Sequence, residues 1–190
     1  TSSSWWNVIK NNAEEIKSEF EYVWFPPCSD SNSEQGYLPR ELYDFDAAYG
    51  TEEQLQSAIN AISPAKAIAD VVINHRCGTT SWGDFTEPSF GTEKGVNYKA
   101  ICSDDEGFTS EQKYMGKVSS SMRGAKDTGE SYAAGRDLDH TNEDVQNGII
   151  EFLGKLKDLG FCGWRYDFVK GYAGKYVGMY NKETGHGFSV

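Results

Sequence analysis

Apolar residues fall at Trp6, Ile9, Ala13, Ile16 and Phe20, a 3-4-3-4 spacing that predicts one amphipathic helix. Tyr22, Val23, Trp24 and Phe25 then read as a short strand, stopped by Pro26 and Pro27. Residues 28–50 mix Ser, Asp, Gly and Tyr without periodicity and read as a loop. Thr51-Glu52-Glu53-Gln54 forms a capping box ahead of a helix whose apolar face is Leu55, Ala58, Ile59 and Ile62. Residues 67–73 are almost continuously apolar, as expected of a parallel strand covered on both faces.

From residue 74 to about 141 the chain is irregular and rich in Gly, Ser, Asp and Thr. A structureless loop of that length does not fit a compact domain, so an inserted subdomain with short strands is expected. Thr141 is a candidate cap for a helix that buries Val145, Ile149, Phe152, Leu153 and Leu156, with Gly160 at its C-terminal end. Residues 162–169 read as a strand, 171–181 as a short weak helix and 188–190 as the start of another strand. Helices alternating with short buried strands imply an α/β fold on a parallel sheet, either doubly wound or a barrel. Both architectures collect function at the carboxyl ends of the strands. No GxGxxG or GxxxxGK[ST] follows a strand, so the nucleotide-binding signatures are missing.

Composition narrows the class. The chain has 190 residues, with 18 Lys+Arg against 29 Asp+Glu, a net charge of −11. That balance argues against a nucleic-acid partner. The chain has no apolar run of the ~18 residues a membrane span needs. An aromatic content of 14% argues against disorder. The length suits one ordinary domain but is short for a complete (β/α)8 barrel of ~250 residues. The four cysteines form no CxxC pair; Cys162 reads as a small buried hydrophobe, and whether Cys77 and Cys102 pair is open. No charged n-region with an apolar h-region opens the chain, so no signal peptide is read there.

Two strands end in polar clusters. One is Asp70-Val71-Val72-Ile73-Asn74-His75-Arg76; the other is Gly163-Trp164-Arg165-Tyr166-Asp167-Phe168-Val169-Lys170-Gly171. Arg165 and Asp167 stand two apart and share a strand face. A carboxylate beside an always-charged guanidinium stays ionised, which suits a nucleophile and not a proton donor. A structural ion pair is the plain alternative. His75 alone reads as a structural histidine and Asn74 as a turn residue. Asp127, Glu130, Asp137 and Asp139 offer oxygen ligands of the kind calcium takes, although no EF-hand loop is present and an acidic loop is ordinarily a solvated surface.

Together these stretches resemble the α-amylase family, glycoside hydrolase family 13, and in particular its plant-type members. Asp70-Val71-Val72-Ile73-Asn74-His75 resembles the family's first conserved region and Gly163-Trp164-Arg165-Tyr166-Asp167 its second. Val23-Trp24-Phe25-Pro26-Pro27, Gly36-Tyr37-Leu38-Pro39, Leu42-Tyr43-Asp44, Asp127-Thr128-Gly129, 137–142 and 168–172 fit in order. The resemblance implies a partial (β/α)8 TIM barrel, about strands two to five, formed by residues 1–75 and 142–190. It makes 76–141 the inserted, calcium-binding domain B after the third strand. It implies endo-hydrolysis of internal α-1,4-glucosidic bonds in starch- or glycogen-type glucans, with retention.

By the same resemblance Asp167 is the nucleophile and Arg165 holds it ionised. Tyr37 is the aromatic platform for the sugar, His75 a hydrogen-bond donor to it, and Lys170 a contact on the leaving-group side. Asn74, Asp127, Asp137 and the carbonyl of Gly171 are implied ligands of a structural Ca2+, with the Glu130 carbonyl a further candidate. The implied partner is an α-glucan, with no nucleic acid or membrane, and the full-length protein is expected to be a monomer. The compartment is open: secretion is the family's usual expectation, and cytosolic and plastid members exist.

No glutamate here matches the family's acid/base position, and its third carboxylate is missing too. The sequence is therefore expected to be incomplete, unstable and inactive alone, and its intact product active. The alternatives are another family activity (transglycosylase, branching enzyme or α-glucosidase) or a catalytically silent glucan-binding homologue.

Overall fold

The structure, a computed structural model, describes residues 4–109 and 118–190. Residues 110–117, inside the predicted insertion, and 1–3 lie outside the described residues. Four strands build the main sheet: β1 (Tyr22–Phe25), β4 (Lys66–Val71), β7 (Gly163–Tyr166) and β8 (Phe188–Ser189). They stand side by side in the order β1-β4-β7-β8, and every pairing is parallel. This is an arc of a (β/α)8 barrel, with chain order matching spatial order.

Register divides the sheet into two faces. Tyr22 pairs with Lys66, Trp24 with Ile68, Ile68 with Gly163, Asp70 with Arg165 and Gly163 with Phe188, so these residues share the concave face. Phe25, Ala69, Val71, Trp164 and Tyr166 point the other way and are buried. Helices cover that convex face: α1 (Trp5–Asn11), α3 (Glu52–Ala61), α5 (Glu143–Asp158) and α6 (Gly174–Thr184). Trp6 of α1 packs on Phe25 at 5.8 Å between ring centroids. Val145, Ile149, Phe152, Leu153 and Leu156 of α5 are all buried, each stabilising by roughly 1.5–3 kcal/mol. After α5 the chain reverses at Gly160 with φ 110°, where a Cβ would also meet Ile59 Cγ2 at 2.8 Å.

Several local expectations need correction. The predicted first helix is two, α1 and α2 (Ala13–Glu19), broken where the Asn12 side chain donates to the Val8 carbonyl at 2.7 Å and its backbone leaves the helical region. The stretch 28–50 holds a short antiparallel pair, β2 (Asp30–Ser31) and β3 (Pro39–Glu41), fastened by Arg40 gripping Asp30 with two 2.7 Å bonds. Asn142, not Thr141, caps α5, its Oδ1 accepting from the Asp144 amide at 2.9 Å. The strand predicted over 162–169 ends at Tyr166, because Phe168 takes a left-handed conformation (φ 43°, ψ 43°) and a 3-10 turn follows at Val169–Gly171.

The long segment between β4 and α5 leaves and returns through one antiparallel pair, β5 (His75–Arg76) against β6 (Arg136–Asp137). A short helix, α4 (Glu106–Thr109), lies between them in sequence. Two buried arginines organise this segment. Arg76 donates to the carbonyls of Pro88 (2.8 Å), Thr86 (2.7 Å) and Arg40, and its guanidinium lies over the rings of Phe85 and Phe90. Arg136 pairs with Asp105 and Glu106. All four cysteines are free, which answers the pairing left open for Cys77 and Cys102.

Candidate active site

The polar cluster sits where the strands end. Arg165 leaves β7 on the concave face, and its Nη1 donates to Asp167 Oδ1 at 2.6 Å and to Asp70 Oδ1 at 3.0 Å. Asp167 lies just past the strand and is fixed through its backbone, whose N–H donates to the Val71 carbonyl at 2.9 Å. Asp70 stands opposite Arg165 in the β4–β7 register, so parallel pairing itself brings the two together. The Arg165 guanidinium also lies over the Trp24 ring at 5.3 Å.

Tyr37 arrives from the loop between β2 and β3, and its hydroxyl donates to Asp70 Oδ2 at 2.8 Å. Its carbonyl lies 2.8 Å from His75 Nε2. A carbonyl only accepts, so Nε2 carries the proton. Nδ1 is then the acceptor, 3.2 Å from Asn74 Nδ2. Burial pushes the His75 imidazole below its ordinary value, which keeps it neutral. To donate to a sugar hydroxyl, Nε2–H must share or leave the Tyr37 carbonyl. The ring also stacks on Tyr132 at 4.2 Å, and Tyr132 in turn meets Phe168 at 4.8 Å.

Lys170 and Glu130 form an exposed ion pair at 2.5 Å, and the Glu130 amide donates to the Lys170 carbonyl at 3.0 Å. The Glu130 side chain is thus turned towards Lys170. Gly129 is squeezed against this turn: a Cβ there would lie 2.4 Å from the Lys170 carbonyl oxygen.

Asn74, Asp127, Asp137 and Gly171 converge beneath the same turn. Asn74 Nδ2 donates to Asp137 Oδ1 at 3.2 Å, and a Cβ on Gly171 would fall 2.0 Å from Asn74 Oδ1. Burial pushes Asp137 up to about 8, with the charges of Asp105 and Asp127 adding to the effect. Burial also raises Asp127, whose Oδ2 is buried without a hydrogen-bond partner. An orphaned carboxylate oxygen beside a second acidic group fits a hard cation held by oxygen ligands. Asp105, Glu106 and Asp137 form another close acidic group, but Arg136 already pairs with the first two. The Asp127 side is therefore the better cation site.

The Alpha-amylase family (alpha amylase, catalytic domain) matches residues 17–188. The chain belongs to the α-amylase family. Among curated α-amylases, it is 34% identical over 181 residues to Probable alpha-amylase 2 of Arabidopsis thaliana, a match covering 93% of this chain and 40% of that protein. It is 30% identical over 193 residues to Alpha-amylase 3, chloroplastic, of the same plant, covering 100% of this chain and 20% of that protein. The chain thus spans two-fifths or less of the curated relatives it matches. The crystal structure of α-amylase I from Eisenia fetida superposes with a TM-score of 0.69 at 18% identity, covering 94% of this chain and 38% of that one. The fold is therefore that of part of an α-amylase catalytic barrel.

Three residues that sequence reasoning gave no role stand in this candidate site. Asp70 had a signal, a charged residue inside an otherwise apolar strand, in phase with Ile68 on the concave face. Phe168 had only its place in the 168–172 stretch and Tyr132 had none; folding of the insertion and the left-handed turn after β7 bring them to His75.

Proposed function

We propose that the full reading frame to which this chain belongs encodes a retaining endo-acting hydrolase of internal α-1,4-glucosidic bonds in starch-type glucans. The observation that carries this reading is the Arg165 guanidinium at the carboxyl end of β7, shared between Asp167 and Asp70. Asp167 is the nucleophile. Arg165 engages its Oδ1 and leaves Oδ2 to attack the anomeric carbon. The bond from that carbon to the leaving oxygen breaks as a covalent glycosyl-enzyme forms, and the leaving oxygen takes a proton from a second carboxyl group. Such pairs stand about 5 Å apart in retaining enzymes. The motifs in these 190 residues do not supply that donor, so the isolated chain should not hydrolyse starch.

Tyr37 and His75 form the floor of the cleavage subsite, and Lys170 meets the leaving-group side. Asn74, Asp127, Asp137 and the Gly171 carbonyl hold a calcium ion, with the Glu130 carbonyl beside them. The ion would supply the positive charge that the buried Asp137 and the half-buried Asp127 need. These residues tie domain B, 76–141, to the strand ends that carry His75 and Asp167.

The test is Asp167→Asn in the product of the full reading frame, assayed on end-blocked maltooligosaccharides that exclude exo-attack. Loss of a covalent nucleophile should lower turnover by ~10³-fold or more. Wild-type turnover in that variant would refute the assignment.

A further inference from the structure

Asp70 is buried deeper than any other charged group of the cluster, its side chain 0% exposed, against 33% for Arg165 and 19% for Asp167. It accepts from two directions. The Tyr37 hydroxyl reaches Oδ2 at 2.8 Å, and Arg165 Nη1 reaches Oδ1 at 3.0 Å and Oδ2 at 3.3 Å. The same Nη1 serves Asp167 at 2.6 Å, so a single nitrogen is held between two carboxylates. The Tyr37 carbonyl, one residue's length from that hydroxyl anchor, receives His75 Nε2 at 2.8 Å. Asp70 therefore touches the two groups through which both His75 and Asp167 are oriented.

A buried carboxylate with a guanidinium and a phenol is often only a structural ion pair. Here the geometry says more. Asp70 and Arg165 are fixed by strand register, whereas Asp167 lies beyond the strand, next to the left-handed Phe168. Without a second carboxylate behind it, the guanidinium would follow Asp167 and not restrain it. Arg165 can aim Asp167 because Asp70 holds it from the rigid side.

We propose that Asp70 is a positioning residue, a buried carboxylate that fixes Arg165 against Asp167 and Tyr37 against His75. It acts through those groups and does not meet the sugar. The inference rests on the hydrolase reading above. Misplacing a reacting group by a fraction of its bond reach is costly: displacements near 1 Å can lower turnover by ~10²-fold.

The experiment uses the product of the full reading frame with Asp70→Asn, Asp70→Glu and Asp167→Asn side by side. Asn removes the charge at nearly constant shape, and Glu keeps the charge but displaces it along the register. Steady-state kinetics on a short α-maltooligosaccharide should show kcat lowered by ~10²-fold in both Asp70 variants, with KM within about threefold of wild type. Wild-type kcat in either folded variant would overturn the proposal. So would a raised KM with unchanged kcat, which would mark a substrate-binding effect alone. Loss of cooperative melting in both variants would show a purely structural carboxylate and overturn it equally. Activity retained in Asp167→Asn would remove the hydrolase reading and this inference with it. Normal Asp70 variants beside an inactive Asp167→Asn would remove only this inference.

Discussion

Tyr22 and Phe188 place their rings 5.2 Å apart, although they stand on the opposite edge strands of the four-stranded sheet. In a flat sheet, three steps of about 4.8 Å would separate their strands by roughly 14 Å. The contact shows how far the sheet is curled and closes the lower end of its concave face with two aromatic rings. Higher on that face Trp24 is 57% exposed, with the Arg165 guanidinium above its ring.

This contact predicts a coupling between the two edges. Tyr22 is 38% and Phe188 41% exposed, so Tyr22→Ala or Phe188→Ala should cost about 1–2 kcal/mol, less than a fully buried aromatic. The double variant should fall short of additivity by ~0.5–1.5 kcal/mol. Denaturant titration of the four proteins measures this, and strict additivity would show that the rings do not restrain the curl.

Gly171 predicts a sharper effect at the proposed calcium ligands. A methyl group there would sit 2.0 Å from Asn74 Oδ1, so Gly171→Ala must push Asn74 or the 3-10 turn aside. Calcium affinity should fall by ten-fold or more, at the lower end of ~10–100-fold for disturbed ligand support. Titration with a competing chelator measures it. Gly154 is the control, because a Cβ there meets nothing within 4 Å. Equal affinity in both alanine variants would rule out Gly171 as part of the site.

Much of the barrel arc was legible because each element has its own periodic signal. The capping box at Thr51 forms as written, the apolar runs become β4 and α5, and the order of elements gives the parallel sheet. The breaks were less legible. Asn12 divides a helix through a side-chain bond that competes with the backbone, which periodicity does not register. The β2–β3 pair is two or three residues a strand, too short to alternate. In the site, the Arg165–Asp167 pair is legible from the residues' spacing, although Asp167 stands just past the strand, whereas Asp70 and Tyr132 reach it through register and through the fold of the insertion. Glu130 appeared as an oxygen ligand, and only the structure shows its side chain engaged by Lys170.

His140 predicts an acid limit to stability. Its Nε2 is 3.0 Å from the Ile73 carbonyl and therefore carries the proton, while Nδ1 accepts from the Tyr180 hydroxyl at 2.7 Å. Burial pushes the imidazole down to about 4 from the ordinary 6.5. Between those values the unfolded chain binds a proton that the fold refuses, so stability from this group is complete above 6.5 and is lost as pH falls towards 4. The slope should approach ~1.4 kcal/mol per pH unit within that window. His140→Gln should flatten it, as read from unfolding free energies at successive pH values. An unchanged slope would assign the acid sensitivity elsewhere.

Asp137 predicts the opposite trend in calcium-free protein. Its carboxyl is raised to about 8 from an ordinary 3.8, so the fold holds a proton that the unfolded chain releases. That contribution is complete below 3.8 and is lost as pH rises through about 8. Calcium reverses the preference, because a ligating carboxylate must be deprotonated. Calcium affinity should therefore rise with pH up to about 8 and then level off, with burial of Asp127 adding to the same trend. Calorimetric titration with calcium in buffers of different ionisation enthalpy counts the protons released. About one proton should leave near neutral pH and almost none well above 8, and Asp137→Asn should lower the release to whatever Asp127 alone contributes. Proton-independent calcium binding at neutral pH would remove Asp137 from the ligand set.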